Sequence, residues 1–180
     1  GLILLGAGIS FNTLITAAGG AIIQGMVMIT SVFFFGWWLS GKFKLDDKLR
    51  AVMSTALAVC GVSAAIAAAG SVLAKKEQVT YVTTLVIITA LPLMVITPLI
   101  AGALNLPQDV AGAWFGGNID TTAAVVGAGT IYGEGAQAIA SIVKATQNAF
   151  IGLVTFLLAF YFVVVVERKP NERPNVSLIW

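Results

Sequence analysis

Two charged side chains stand where charges are costly. Asp120 lies in the run Gly116-Gly117-Asn118-Ile119-Asp120-Thr121-Thr122, among glycines, hydroxyls and an amide, with strongly apolar stretches on both sides. A charge near the centre of a bilayer costs about 2.5–3.5 kcal/mol, whereas capping a helix N-terminus returns only roughly 1 kcal/mol. Asp120 therefore reads either as a group that binds or couples to an ion or proton and orders a site, or as a plain cap facing a wet vestibule. Lys144 is the other charge inside an apolar segment. Gln137, Ser141, Lys144, Asn148, Gly152 and Thr155 recur at intervals of three and four, so they share one face of a helix that points into a bundle. There Lys144 pairs with Asp120 or with an anion. The competing reading is that residues 149–166 already supply about 18 apolar residues, nearly a span, and Lys144 only snorkels to the outer interface.

The elements that position these groups are set by composition. Of 180 residues, 58% are hydrophobic and 10% charged, against roughly 25% charged in an average soluble domain; the mean hydropathy is +0.96. The apolar runs suit helices of about 20 residues, the length that crosses a hydrocarbon core, and lack the alternation of a membrane barrel. An all-α, polytopic, multi-pass membrane protein is expected, with the lipid bilayer as its first partner. The net charge of +2 is carried by loops and offers no nucleic-acid surface. With no histidine and a single cysteine, Cys60, the chain lacks the commonest general base and metal ligand and cannot form an internal disulfide. There is no phosphate-binding loop, dinucleotide fingerprint or nucleophile–base–acid set, so no catalytic residue, resident cofactor or metal site is expected, and the protein does not read as an enzyme.

Along the chain, residues 1–11 read as the end of a span whose start lies elsewhere, and the 180 residues as a single, incomplete transmembrane region of a longer protein. A span is expected over residues 14–39, closed by the aromatic run Phe33-Phe34-Phe35-Gly36-Trp37-Trp38, a composition that favours the interface. The loop over residues 41–50 carries Lys42, Lys44, Lys48 and Arg50 against Asp46 and Asp47, which places it in the cytoplasm of a cell inner (plasma) membrane protein. Leu45-Asp46-Asp47 offers an N-cap and two acids for the helix beginning near Lys48. Residues 48–74 read as two half-helices, 48–59 and 63–74, meeting at Cys60-Gly61-Val62-Ser63; the second is rich in alanine and lets backbones approach closely. Residues 80–104 form the next span, with Pro92 and Pro98 inside it. Residues 110–132 repeat the earlier design as half-helices 110–115 and 120–132 around Gly116-Gly117-Asn118. A last span covers residues 136–166, followed by a cytoplasmic loop over 167–180. Gly112 and Gly116, and Gly129 and Gly133, have close-packing spacing, which chance also produces in a chain with 19 glycines.

The interruptions carry the chemistry. Non-helical backbone survives in a membrane only where protein or a wet cavity satisfies it, and a broken helix exposes the two ends of its half-helix dipoles, which ion and substrate sites use. Cys60, Gly61 and Ser63 at one break, and Gly116, Gly117, Asn118, Asp120, Thr121 and Thr122 at the other, with Lys144 and Asn148, are the candidate substrate or ion site. Two topologies fit. If the broken segments cross, Lys75 and Lys76 fall outside. If they re-enter, Lys75 and Lys76 return inside and the acidic loops at Asp109 and Glu134 fall outside, which charge prefers.

At these residues the sequence resembles the YeiH-like family of bacterial and archaeal membrane proteins, described as sulfate exporters. The resemblance rests on residues 1–10 (GLILLGAGIS), 58–67 (AVCGVSAAIA), 116–126 (GGNIDTTAAVV) and 142–146 (IVKAT). It implies a helical secondary transporter of roughly twice this length, built from inverted repeats with crossed broken helices, moving a small anion such as sulfate. It also implies that further helices of the polypeptide lie before Gly1 and after Trp180. The family pattern has His-Asp near Ile119-Asp120 and an arginine shortly after the lysine, where Gln147 stands here, and a missing arginine is a missing anion-binding fork. A proton or sodium serves as coupling ion in such a protein; the alternative substrate is a cation held by Asp120, as in a sodium/proton antiporter. A subunit that only packs against a partner chain, including a second copy of itself, is the non-transporting alternative.

Overall fold

The computed structural model describes residues 11–166, and every regular element among them is helical. The order is α1 (Phe11–Lys42), α2 (Asp47–Ala58), α3 (Val62–Val72), α4 (Lys76–Ala103), α5 (Gln108–Asn118), α6 (Thr122–Tyr132), α7 (Glu134–Ala149) and α8 (Ile151–Tyr161), with a π-helical turn over Phe162–Val166. Three stretches, Gly19–Lys42, Lys76–Ala103 and Glu134–Val166, are long and apolar enough to cross a membrane. The expected helix over residues 1–11 lies outside the described residues except for Phe11, which opens α1, and so does the expected loop over 167–180.

Several boundaries differ from the expectation. α1 and α4 extend past residues 14–39 and 80–104 at their N-terminal ends, and the last span divides at Phe150, where the backbone N–H turns to Gln147 O and Asn148 O. The largest correction concerns the second interruption. The chain stays helical through Gly116, Gly117 and Asn118, and the helix stops only at Ile119, whose backbone is extended. Asp120 and the cap Thr121 follow, and the Thr121 hydroxyl accepts from Ala124 N at 3.3 Å. The first interruption lies at Val59-Cys60-Gly61, one residue ahead of the expected break. Gly61 has φ +66° and ψ −108°, a conformation that costs a residue with a Cβ about 1–3 kcal/mol.

Both interrupted pairs fold back on themselves. The side chain of Asp46, which caps α2 by accepting from Lys48 N and Leu49 N, also accepts from Gln78 Nε2 at 2.9 Å. Lys48 Nζ reaches Leu73 O at 3.2 Å, so the start of α2 and the end of α3 lie together. Likewise Gly135 N donates to Gln108 Oε1 at 2.9 Å, and the Tyr132 hydroxyl donates to Leu106 O, which joins the start of α5 to the end of α6. At 11 or 12 residues per arm, each hairpin is about 16–18 Å deep. The first has its base at the N-terminal end of α4 and the second at the C-terminal end, about 42 Å away for a 28-residue helix. Their tips therefore point at one another.

The core divides the same way. Val82 and Val86 of α4 pack with Ala51, Val52 and Ala56 of α2, Ala65 and Ala68 of α3, and Leu158 of α8. Further along α4, Ala90 and Ala101 pack with Phe115 of α5, Val125 and Ala128 of α6, and Ala136 and Ala140 of α7. Small residues draw the second hairpin onto α7: a Cβ on Gly112 would stand 2.5 Å from Ala136 O, one on Gly116 2.7 Å from Ala140 O, and one on Gly129 2.5 Å from Gln137 Cα. The glycine spacing that chance could explain is a packing seam of the kind small residues make between membrane helices.

Candidate functional site

The tips of the two hairpins touch. A Cβ built on Gly61 would lie at contact distance from the second tip, 3.4 Å from Asp120 Cβ and 3.5 Å from Thr121 Cγ2, and only 2.5 Å from Val86 Cγ1, so the missing side chain at Gly61 makes room for Val86 of α4 beside that tip. Val59, Cys60 and Ile119 are buried at this meeting point, and Asp120 is partly buried.

α7 runs past the junction and supplies its cation. Lys144 is 1% exposed, which excludes the snorkelling arrangement. Its Nζ donates to Val59 O at 3.1 Å and to Gln147 Oε1 at 2.8 Å. Val59 is the C-cap of α2, so its carbonyl belongs to the negative end of a half-helix, where a positive charge is favoured. The expected pairing of Lys144 with Asp120 is not formed: the ammonium's partners are these two oxygens, and Asp120 faces the same junction without a salt bridge to it. One turn further along α7, Asn148 Nδ2 donates to Thr122 Oγ1 at 3.3 Å. The Asn148 Oδ1 atom is buried without a hydrogen-bond partner.

The structure thus brings together Cys60, Gly61, Asp120, Thr121, Thr122, Lys144 and Asn148. It does not bring in the rest of the expected set. Ser63 and Asn118 are exposed. Gly116 serves the seam with α7, and Gly117 makes room for Gln24, whose Nε2 would be 2.8 Å from a Cβ there and donates to Ala113 O at 2.8 Å. The polar face of the last span also stops short, because Gly152 is exposed with open space beside it. Gln147 is a contributor that the sequence reading missed; its place three residues after Lys144 on the same face was the available signal.

The donors at the junction are an ammonium, a carboxylate, hydroxyls, amides and two helix N-termini, those of α3 and α6. Such a set offers charge of both signs and hydrogen-bond donors and acceptors at one point. Among the described residues no three His, Cys, Asp or Glu side chains gather to hold a metal.

A helical, multi-spanning membrane protein with a polar junction inside it is the class that this fold and site define. The family model described as Conserved hypothetical protein 698 matches residues 1–178, and the chain belongs to this family of UPF0324 membrane proteins, in agreement with the resemblance read from its sequence. A UPF0324 membrane protein of Rhodopirellula baltica is 36% identical over 100% of the chain and 34% of its own length. One from Nitratidesulfovibrio vulgaris is 37% identical over 100% of the chain and 31% of its own length, and one from Bacteroides thetaiotaomicron 32% identical over 98% and 52%. The chain spans about a third of the length of the first two relatives. No solved structure matches it.

Proposed function

We propose that the full-length protein is a secondary active transporter and that the junction of the two hairpin tips is its substrate site. The observation that carries this reading is Lys144, a buried ammonium spent on a half-helix carbonyl beside the Asp120 carboxylate. A buried charge that served packing alone would be replaced at little cost by an apolar side chain.

The substrate is a small inorganic anion such as sulfate. Lys144 and the N-termini of α3 and α6 supply positive potential at one point, and the family resemblance points the same way. Asp120 is the coupling or site-organising carboxylate, with a proton or sodium as the coupling ion. The two hairpins re-enter from opposite faces of the membrane. This puts the basic loops at residues 41–50 and 75–76 on the cytoplasmic side and Asp109 and Glu134 on the other. Their attachment to opposite ends of α4 is consistent with an inverted repeat.

The test is flux through the full-length protein in proteoliposomes. Asp120→Asn and Lys144→Ala are each expected to lower anion flux about tenfold or more, which corresponds to about 1.4 kcal/mol. Wild-type flux in both correctly folded variants sinks the proposal. One observation favours a second reading, in which Asp120 binds a transported cation: the unpartnered Asn148 Oδ1 is an acceptor with nothing to accept. Stabilisation by sodium that disappears in Asp120→Asn selects that reading over the anion.

A further inference from the structure

Lys144 and Asp120 carry side chains of opposite charge at one junction and form no salt bridge. Away from water such groups attract strongly, and the ammonium is near enough to turn. It bonds Val59 O, and Val59 stands two residues before Gly61, the glycine in contact with Asp120. The flexible four-carbon stem of a lysine permits the swing. Something must hold the ammonium where it is.

Gln147 is placed to do so. Its Oε1 accepts from Lys144 Nζ at 2.8 Å, the shorter of the ammonium's two contacts, since Val59 O stands at 3.1 Å. The two residues are three apart on α7, so this contact is set within one helix and depends on neither hairpin. The amide is itself confined. Gln147 is 1% exposed, its carbonyl accepts from Phe150 N at 3.0 Å where α7 ends, and its Cγ lies against Gly25 of α1, where a Cβ would stand 3.7 Å away. Ala21 of α1 packs with Ile142 and Val143 of α7 one to two turns earlier. The ammonium is thus referred to two of the long apolar helices.

The kind of acceptor matters as much as its position. The oxygens of Gln147 and Val59 are both neutral, so neither cancels the charge of the ammonium. An ammonium has three N–H donors, and among the described residues these two oxygens are its hydrogen-bond partners. One donor and the whole charge remain. A bridge to Asp120 would consume both.

We infer that Gln147 is a positioning residue of the junction: its amide oxygen holds the Lys144 ammonium off Asp120 and leaves the positive charge open to an anion. This rests on the reading of the junction as an anion site, and adds the residue that keeps the site from closing on its own carboxylate.

Two variants of the full-length protein separate this role from packing. Gln147→Glu keeps the shape and the acceptor and cancels the charge of the ammonium. It is expected to unfold near the wild-type temperature while KM for sulfate flux in proteoliposomes rises about tenfold and the maximal rate changes less. Gln147→Met keeps the volume and loses the acceptor, so the ammonium turns to Asp120. In sodium-free buffer Asp120→Asn is expected to change the unfolding temperature of the wild type little and to lower that of Gln147→Met, where it strands a buried charge. Equal shifts in the two backgrounds, or a wild-type KM in Gln147→Glu, overturn the inference. Where neither Gln147 variant folds, Asp120→Asn alone decides: a small shift supports the inference, and a large fall shows that the ammonium already leans on Asp120 and overturns it. A wild type that carries no sulfate removes the anion reading, and the unfolding comparison still judges the placement of Lys144 by Gln147.

Discussion

The two hairpins have nearly equal arms and opposite construction. The first is held at its ends: Asp46, Lys48 and Gln78 tie its base through solvent-facing polar contacts, and a single glycine shapes its tip. Between them its alanine-rich second arm buries Ala64, Ala65 and Ala68 completely, while a side chain at Gly70, on its exposed face, would meet nothing within 4 Å. The second is held along its length, with three glycines placing its backbone directly on α7 and Thr121 capping its inner helix. Asp120 is thus mounted on the hairpin whose glycines lie directly against α7, and it faces the one closed on α4 at a single glycine.

The sharpest way to break this contrast is at the tip of the first hairpin. Gly61→Val is expected to cost about 3 kcal/mol or more, combining backbone strain of about 1–3 with overpacking of about 1–3 against Val86 Cγ1, 2.5 Å from the new Cβ. Thermal unfolding of the full-length protein measures it, and a near-neutral result would show that the tip is not seated against Val86 of α4. A smaller loss, about 1–3 kcal/mol, is expected for Gly116→Ala at the seam, whereas Gly70→Ala is expected to be neutral or to gain up to about 1 kcal/mol. Equal effects of the two alanines would erase the distinction between the hairpins.

The mildest perturbation is acid. The Gln78 amide holds the Asp46 carboxyl below the usual carboxylate range, against the opposing effect of burial, with help from the Leu49 and Lys48 amides and the Lys48 charge. A carboxyl lowered in the folded state stabilises it above the unfolded value of about 3.9, and that contribution fades as pH falls through the folded-state value. Amides in the first turns of α2 and α4 are expected to lose hydrogen-exchange protection below about pH 4 before those of the second hairpin. Simultaneous loss in both would contradict the assignment of the Asp46 contact as the base of the first.

Much of this arrangement was legible in the sequence. Asp120 and Lys144 stood out because charges are rare in apolar segments, Asn148 because it shares a helical face with Lys144, and Gly61 because glycine beside cysteine and serine interrupts a helical pattern. Gly116-Gly117 misled for a physical reason: glycine marks both a break and a close approach, and only the tertiary partner, α7 or Gln24, distinguishes them. The true stop at Ile119 is made by the cap at Thr121, a weaker local signal. That each interrupted pair folds back was left open by hydropathy and favoured by loop charge; contacts as distant in sequence as Asp46 with Gln78 reveal it. Ser63 and Asn118 were placed near the site by proximity along the chain, but helical rotation turns each to an exposed face.

Helix α4 belongs to both cores, changing allegiance between Val86 and Ala90. Pro92 follows two residues later, and because proline has no N–H, the carbonyl of Ile88 loses its rung in the helical ladder. Helix α4, one of the elements that pack in both assemblies, therefore lacks a backbone hydrogen bond close to where it passes from one to the other. The carbonyl left free there faces the stretch of α4 between the two cores, so the helix that both hairpins are anchored to is held at that point by side-chain packing rather than by its own ladder.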